Sequence, residues 1–201
     1  MSREEWLWVE EKRLQHLDLD AIYSAFSQFS LPPGVFFADV GSALTGMIEG
    51  LPNAVAMVYR EILVAAVDVM GLDTSSLRVE CWSNRAKGGS GIVDYHVDND
   101  EDLRRRTGEV AVPKLGLIFY TGPSKGKVGG TYFNPPINSA TEDLNLFRRP
   151  PFDSIVHGNG RLVEFTPGSL VLFDGRCPHC VVPFREVIEP RVTIMANFWQ
   201  N

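Results

Sequence analysis

The 201 residues include four histidines: His16, His96, His157 and His179. His96 stands in Asp94-Tyr95-His96-Val97-Asp98, at the end of a stretch that reads as a β-strand. Side chains two apart on a strand share a face, so His96 and Asp98, and Asp94 with them, can aim at one point. His179 follows 179 − 96 = 83 residues later, at the start of another candidate strand. Two imidazoles and one carboxylate are the donors of the facial triad that suits Fe(II). Such a set holds the ion on one face and leaves the opposite three positions open. Taken alone, these residues leave the matter undecided, because a solvated turn accounts for His96-Val97-Asp98 equally well.

His179 also lies inside a second motif, Cys177-Pro178-His179-Cys180, which matches the active-site tetrapeptide of oxidising thiol–disulfide oxidoreductases. That chemistry needs a helix to open at the motif, because the helix N-terminus stabilises the thiolate. Here Val181-Val182-Pro183-Phe184 follows, β-branched and interrupted by proline, so no such helix is expected. Zinc binding by Cys177, His179 and Cys180 lacks a second ligand pair at zinc-finger spacing. With three cysteines in all, a secreted disulfide scaffold is disfavoured and a reducing compartment fits better.

The elements that must position these groups follow from the rest of the chain. At about 150 residues per domain, one domain over 1–201 is expected. The formal charge of −6 argues against nucleic acid or an anionic membrane as the main partner. No signal-peptide pattern opens the sequence, and the apolar stretch 54–70 is interrupted by Arg60, Glu61 and Asp68. A cytoplasmic protein without a membrane span is the expectation. Residues 1–75 read as helical support. Asp18 caps a helix carrying Leu19, Ile22, Tyr23 and Phe26, and Leu31-Pro32-Pro33-Gly34 breaks it. A second helix is expected over 40–49. A third is expected over 53–70, with Val55, Val58, Tyr59, Ile62, Ala66 and Val69 on one stripe and Gly71 as its cap. From 76 to 201 the texture is short apolar runs between Gly, Pro and Asn clusters. Strands are expected over 77–83, 92–97, 114–120, 130–133, 154–157, 161–165, 169–173, 180–184 and 191–199, with a hairpin turn at His157-Gly158-Asn159-Gly160. The fold class is α+β, mainly β, a sandwich or barrel with the N-terminal helices packed on one sheet. The proline-rich stretch 134–152 reads as a long loop, and such loops in compact domains are often lids.

Around His96, Asp98 and His179 the chain carries Gly129-Gly130-Thr131-Tyr132-Phe133, Pro167-Gly168-Ser169-Leu170-Val171-Leu172-Phe173, and Arg191-Val192-Thr193. In this order, over roughly residues 77–199, the sequence resembles the Fe(II)/2-oxoglutarate-dependent dioxygenase superfamily, especially its prolyl-hydroxylase-like branch. The resemblance implies a double-stranded β-helix (jelly roll). It implies that His96, Asp98 and His179 bind Fe(II), and that 2-oxoglutarate and O2 are co-substrates, with ascorbate as a stimulant. Arg191 would hold the distal carboxylate of 2-oxoglutarate, which its planar fork can bind through both oxygens. Thr193, two residues along the strand, would add a hydroxyl hydrogen bond, and Tyr120 is a further candidate for the same co-substrate. An arginine between Pro190 and the apolar run 192–198 already reads as an inward charge in need of an anion. The implied activity is oxidation of an unactivated C–H bond, with release of succinate and CO2. A carboxylate at Asp98 implies hydroxylation rather than halogenation.

The substrate is less legible. Arg104 and Arg105, after an acidic stretch, read either as local charge pairs in a loop or as a site for an acidic substrate group. Trp82 and Tyr132 are candidates for a pocket wall. With no extra domain for gripping a large protein, a small molecule such as an amino acid or natural-product intermediate is the expected substrate, and a prolyl-type peptide is the runner-up. A thiol–disulfide oxidoreductase and a non-catalytic jelly-roll binding module are the more distant alternatives. The oligomeric state stays open.

Overall fold

The computed structural model describes residues 6–11, 13–29, 31–33, 36–86, 95–123, 129–137, 159–182 and 189–200. In chain order the elements are β1 (Leu7–Glu10), α1 (Leu19–Gln28), β2 (Phe36–Asp39), α2 (Val40–Leu44), α3 (Asn53–Met70), β3 (Leu77–Ala86), α4 (Glu101–Thr107), β4 (Leu115–Gly122), β5 (Gly130–Phe133), β6 (Arg161–Glu164), β7 (Leu170–Asp174), β8 (His179–Val181) and β9 (Arg191–Gln200). Six strands form one antiparallel sheet in the order β1-β7-β4-β9-β3-β2, and three form a second in the order β6-β5-β8.

Alternation along the strands of the large sheet divides the core in two. Leu77, Val79 and Cys81 of β3, Leu115, Leu117 and Phe119 of β4, and Val192, Ile194, Ala196 and Phe198 of β9 pack against the helices. The intervening residues face the small sheet, where Ile118, Tyr120, Val171 and Phe173 meet Phe133, Val163 and Phe165. β4 is covered on both faces, which explains its unbroken apolar run. The expected mainly-β architecture, with helices on one sheet, is what the chain adopts.

The helices form where their signals lie. Asp18 accepts the Ala21 amide at 3.0 Å and starts α1, which buries Ile22 and Phe26. α3 ends at Gly71, whose φ of +58° is the left-handed conformation a helix cap favours. Its Tyr59 is fully buried and donates its hydroxyl to the Trp82 carbonyl at 2.6 Å, which ties helix to sheet.

Some expectations need correction. The first 75 residues are not wholly helical, since β1 and β2 form the two edges of the large sheet. The helix expected over 40–49 stops at Leu44, where the Thr45 hydroxyl turns back to the Ser42 carbonyl at 2.7 Å. Residues 101–107 form a helix instead of a loop, capped by Asp100 at its start and by Gly108, φ +78°, at its end. The expected strand 154–157, the residues of 92–97 before Tyr95, the start of the 157–160 turn and the loop beyond residue 137 lie outside the described residues. No described helix is long and apolar enough to cross a membrane.

Candidate metal centre

An isolated antiparallel bridge joins His96 to His179. The His96 amide donates to the His179 carbonyl at 3.0 Å, and the His179 amide returns the bond at 2.8 Å. Strand alternation then brings Asp98 to the same side. One donor atom from each of His96, Asp98 and His179 lies within 4.8 Å of the others. His96 Nε2 is 3.3 Å from Asp98 Oδ1, and His179 Nε2 is 4.0 Å from Asp98 Oδ2. Asp94 lies outside the described residues.

The protonation of His179 follows from its neighbours. Its Nδ1 is 3.1 Å from the Cys177 carbonyl, which can only accept, so Nδ1 carries the proton and Nε2 presents a lone pair. That Nε2 and Asp98 Oδ2 are both buried without a hydrogen-bond partner. An orphaned buried polar atom costs about 1–3 kcal/mol, and here two of them face one point. Burial, reinforced by His96, pulls the His179 pKa down to about 4, so the ring is neutral near pH 7. Burial works against ionising Asp98. The hydrogen bond from His96, the charges of His179 and His96, and the Asn197 amide outweigh it and hold the carboxyl at about 2. A neutral imidazole and a carboxylate are the forms that bind metal, and a carbonyl on the far nitrogen is the usual orienting partner of a ligating histidine. The donor set and its orphaned atoms therefore fit a divalent ion such as Fe(II).

A cavity of about 200 Å³ runs from these three residues to Arg191. The Arg191 side chain is 3% exposed, and it donates to the Gly130 carbonyl at 3.1 Å and the Thr131 hydroxyl at 3.3 Å. Its guanidinium carbon lies 4.9 Å from the Phe165 ring centre and 5.4 Å from that of Tyr120. Burial lowers its pKa, though a guanidinium stays charged in a protein. Among the described residues no carboxylate pairs with it. A buried charge without a counter-charge is costly, so this end of the cavity suits an anion. Thr193 lines the same cavity one strand repeat away.

The other singled-out residues divide by strand face. Trp82 lines the cavity, with Asn84, Ile118 and Met195 beside it. Tyr120 is fully buried behind it, its hydroxyl donating to Thr131 at 2.9 Å and its ring beneath Arg191. Tyr132 sits on the opposite face of β5 from Thr131 and packs with Cys180, Tyr95 and Val182, so it is not part of the cavity wall. Arg104 and Arg105 lie on α4, where they pair with Glu101 and Asp102 one helical turn back. They do not line the cavity, because the helix directs both side chains along its own surface. Asn84, Thr131 and Met195 were not singled out in the sequence. The two-residue period carries the signal for two of them, placing Asn84 on the face of Trp82 and Met195 on the face of Thr193, while Thr131 stands in the Gly129–Phe133 run.

The cysteines read differently in place. Cys177 and Cys180 are buried in separate clusters, and Cys180 lies within β8 rather than at the start of a helix. Burial pushes the Cys177 thiol up strongly and the Cys180 thiol up to about 11, so neither is a ready nucleophile.

No family model matches the sequence, and no curated protein matches it. Solved structures do resemble the fold. HygX from Streptomyces hygroscopicus, with nickel and 2-oxoglutarate bound, is 12% identical, with a TM-score of 0.61 over 100% of this chain and 88% of that one. EvdO2 from Micromonospora carbonacea var. aurantiaca is 12% identical, with a TM-score of 0.59 over 98% of this chain and 89% of that one. An oxidoreductase of the 2OG-Fe(II) oxygenase family from Burkholderia pseudomallei is 12% identical, with a TM-score of 0.58 over 99% of this chain and 87% of that one. The fold this chain shares with them is the double-stranded β-helix.

Proposed function

We propose that this chain is an Fe(II)- and 2-oxoglutarate-dependent oxygenase that hydroxylates a small molecule. One observation carries the reading: a half-buried to buried His-Asp-His cluster with two orphaned donor atoms shares a cavity with a buried arginine that no carboxylate among the described residues pairs. His96, Asp98 and His179 would hold the iron. With 2-oxoglutarate and O2 bound, the metal supplies an oxidant for an unactivated C–H bond, and succinate and CO2 are released.

The protein's own residues do the rest. Arg191 and Thr193 bind and orient the distal carboxylate of 2-oxoglutarate, and Thr131 and Tyr120 hold the guanidinium in place. Pro33, Trp82, Ile118, Val181 and Met195 give the cavity apolar walls that exclude water. Asp98 fills the third ligand position, which favours hydroxylation over halogen transfer. The small cavity volume favours a small molecule, or one small group of a larger one, over a bulky side chain. HygX, which shares the fold, holds hygromycin B together with nickel and 2-oxoglutarate in one of its structures. The reading is tested by anaerobic reconstitution with Fe(II) and 2-oxoglutarate, followed by aerobic screening of small molecules for succinate release. His179→Ala and Asp98→Ala should each abolish substrate-dependent release, and retained release in either overturns the assignment.

A further inference from the structure

We infer that Gly116 and Phe173 form a paired support that sets the position of His179. The inference rests on the reading of His179 as a metal ligand. Gly116 lies inside β4, directly opposite Phe173 of β7. Glycine within a strand is destabilising by roughly 0.5–1 kcal/mol relative to alanine, and Gly116 has no positive φ that would require it. Its reason is steric. A Cβ at this position would stand 2.2, 2.5 and 2.7 Å from three carbons of the Phe173 ring. The ring of Phe173 therefore occupies the space that any other residue at 116 would fill.

That ring has no free side to retreat into. Phe173 is 1% exposed, and its ring centre is 5.0 Å from Phe133 and 4.9 Å from His179, which it meets edge-on at 61°. Phe133 in turn stacks on His179 at 5.7 Å and 28°. The imidazole is thus held between Phe133, Phe173, the Cys177 carbonyl and the His96 ring, whose centre is 4.5 Å away, and its Nε2 faces Asp98. A methyl group at 116 drives the Phe173 ring toward His179 and moves that nitrogen. Gly116 and Phe173 touch no substrate and are positioning residues.

The test compares wild type, Gly116→Ala, Phe173→Leu and the double variant without oxygen. Co(II) affinity is measured by calorimetry and the ligand field by the visible d–d absorption of the Co(II) form. Thermal unfolding serves as the control for folding. Loss of a hydrogen-bonding outer partner of a metal ligand typically weakens metal affinity about 10–100-fold; a packing support should act at the low end, so Gly116→Ala and Phe173→Leu should each weaken Co(II) binding about 10-fold, with an altered d–d spectrum. The double variant should recover part of the Gly116→Ala loss, because leucine can yield to the added methyl where the ring cannot. Wild-type affinity and spectrum in either folded single variant overturn the inference, and so does a double variant no better than Gly116→Ala. Should Gly116→Ala fail to fold, Phe173→Leu decides alone. A wild type that does not bind Co(II) overturns the metal-ligand reading, and the inference with it.

Discussion

His179 gives its Nδ1 proton to the Cys177 carbonyl and keeps its Nε2 unpartnered, and this has a consequence for stability. The unfolded chain protonates this histidine near pH 6.5, whereas the folded chain does so only near pH 4. Between these values the folded state binds fewer protons, so stability is full above about pH 6.5 and falls as the pH drops toward 4. Urea unfolding of the metal-free protein should show a loss of roughly 2 kcal/mol between pH 7 and 5. His179→Asn should flatten that dependence, and an unchanged slope contradicts the assignment. Arg191 leads to the opposite kind of expectation. Burying this charge with no counter-charge among the described residues costs stability that its hydrogen bonds to Gly130 and Thr131 offset only in part. Arg191→Met should therefore keep or raise the melting temperature while weakening 2-oxoglutarate binding by on the order of 10–100-fold. A marked loss of stability in this variant would mean that the arginine serves the fold. The convergence of His96, Asp98, His179 and Arg191 on one cavity was legible from their types and order. Tyr132 was misread because its neighbour Thr131, and not Tyr132 itself, shares a face with Phe133. Arg104 and Arg105 were open because their partners, Glu101 and Asp102, become neighbours only once the segment is helical.

At the scale of elements, the site depends on how β3 and β9 are held. Their ten-residue pairing brings Trp82 opposite Met195 and Asn84 opposite Thr193, which sets one wall of the cavity. Tyr59 of α3 anchors that wall through its bond to the Trp82 carbonyl. Tyr59→Phe keeps the ring and leaves a buried carbonyl without this donor, so a loss of about 1–3 kcal/mol is expected, read from the urea midpoint. No change would place the strength of the contact in ring packing alone. α1 and α3 were readable from the sequence because cap, periodicity and stop signal agree at Asp18 and Gly71. β1 and β2 were not, since each is a four-residue edge strand, too short to show a period of its own. Both exist by pairing with β7 and β3, contacts that local sequence does not encode. α4 carried its signals openly, with Asp100 before it and Gly108 after it. Its charged run instead matched the pattern of a solvated loop.

For the whole molecule, the fold class followed from texture: helices first, then short strands at regular spacing. The ordering of those strands into two facing sheets did not, because order in a sheet depends on long-range pairing. The acidic balance and the three buried cysteines fit together. On the proposed reading the anion is small and enclosed, where one arginine suffices, and the Cys177 and Cys180 thiols near His179 pack as apolar groups. On the proposed reading, metal and 2-oxoglutarate share one cavity and depend on each other. Anaerobic calorimetry tests this directly, by titrating 2-oxoglutarate into the protein with and without bound Fe(II). The account predicts strong binding only with Fe(II) present, lost in His179→Ala and greatly weakened in Arg191→Met. Equal binding of 2-oxoglutarate without the metal, or undiminished binding in either variant, would contradict it.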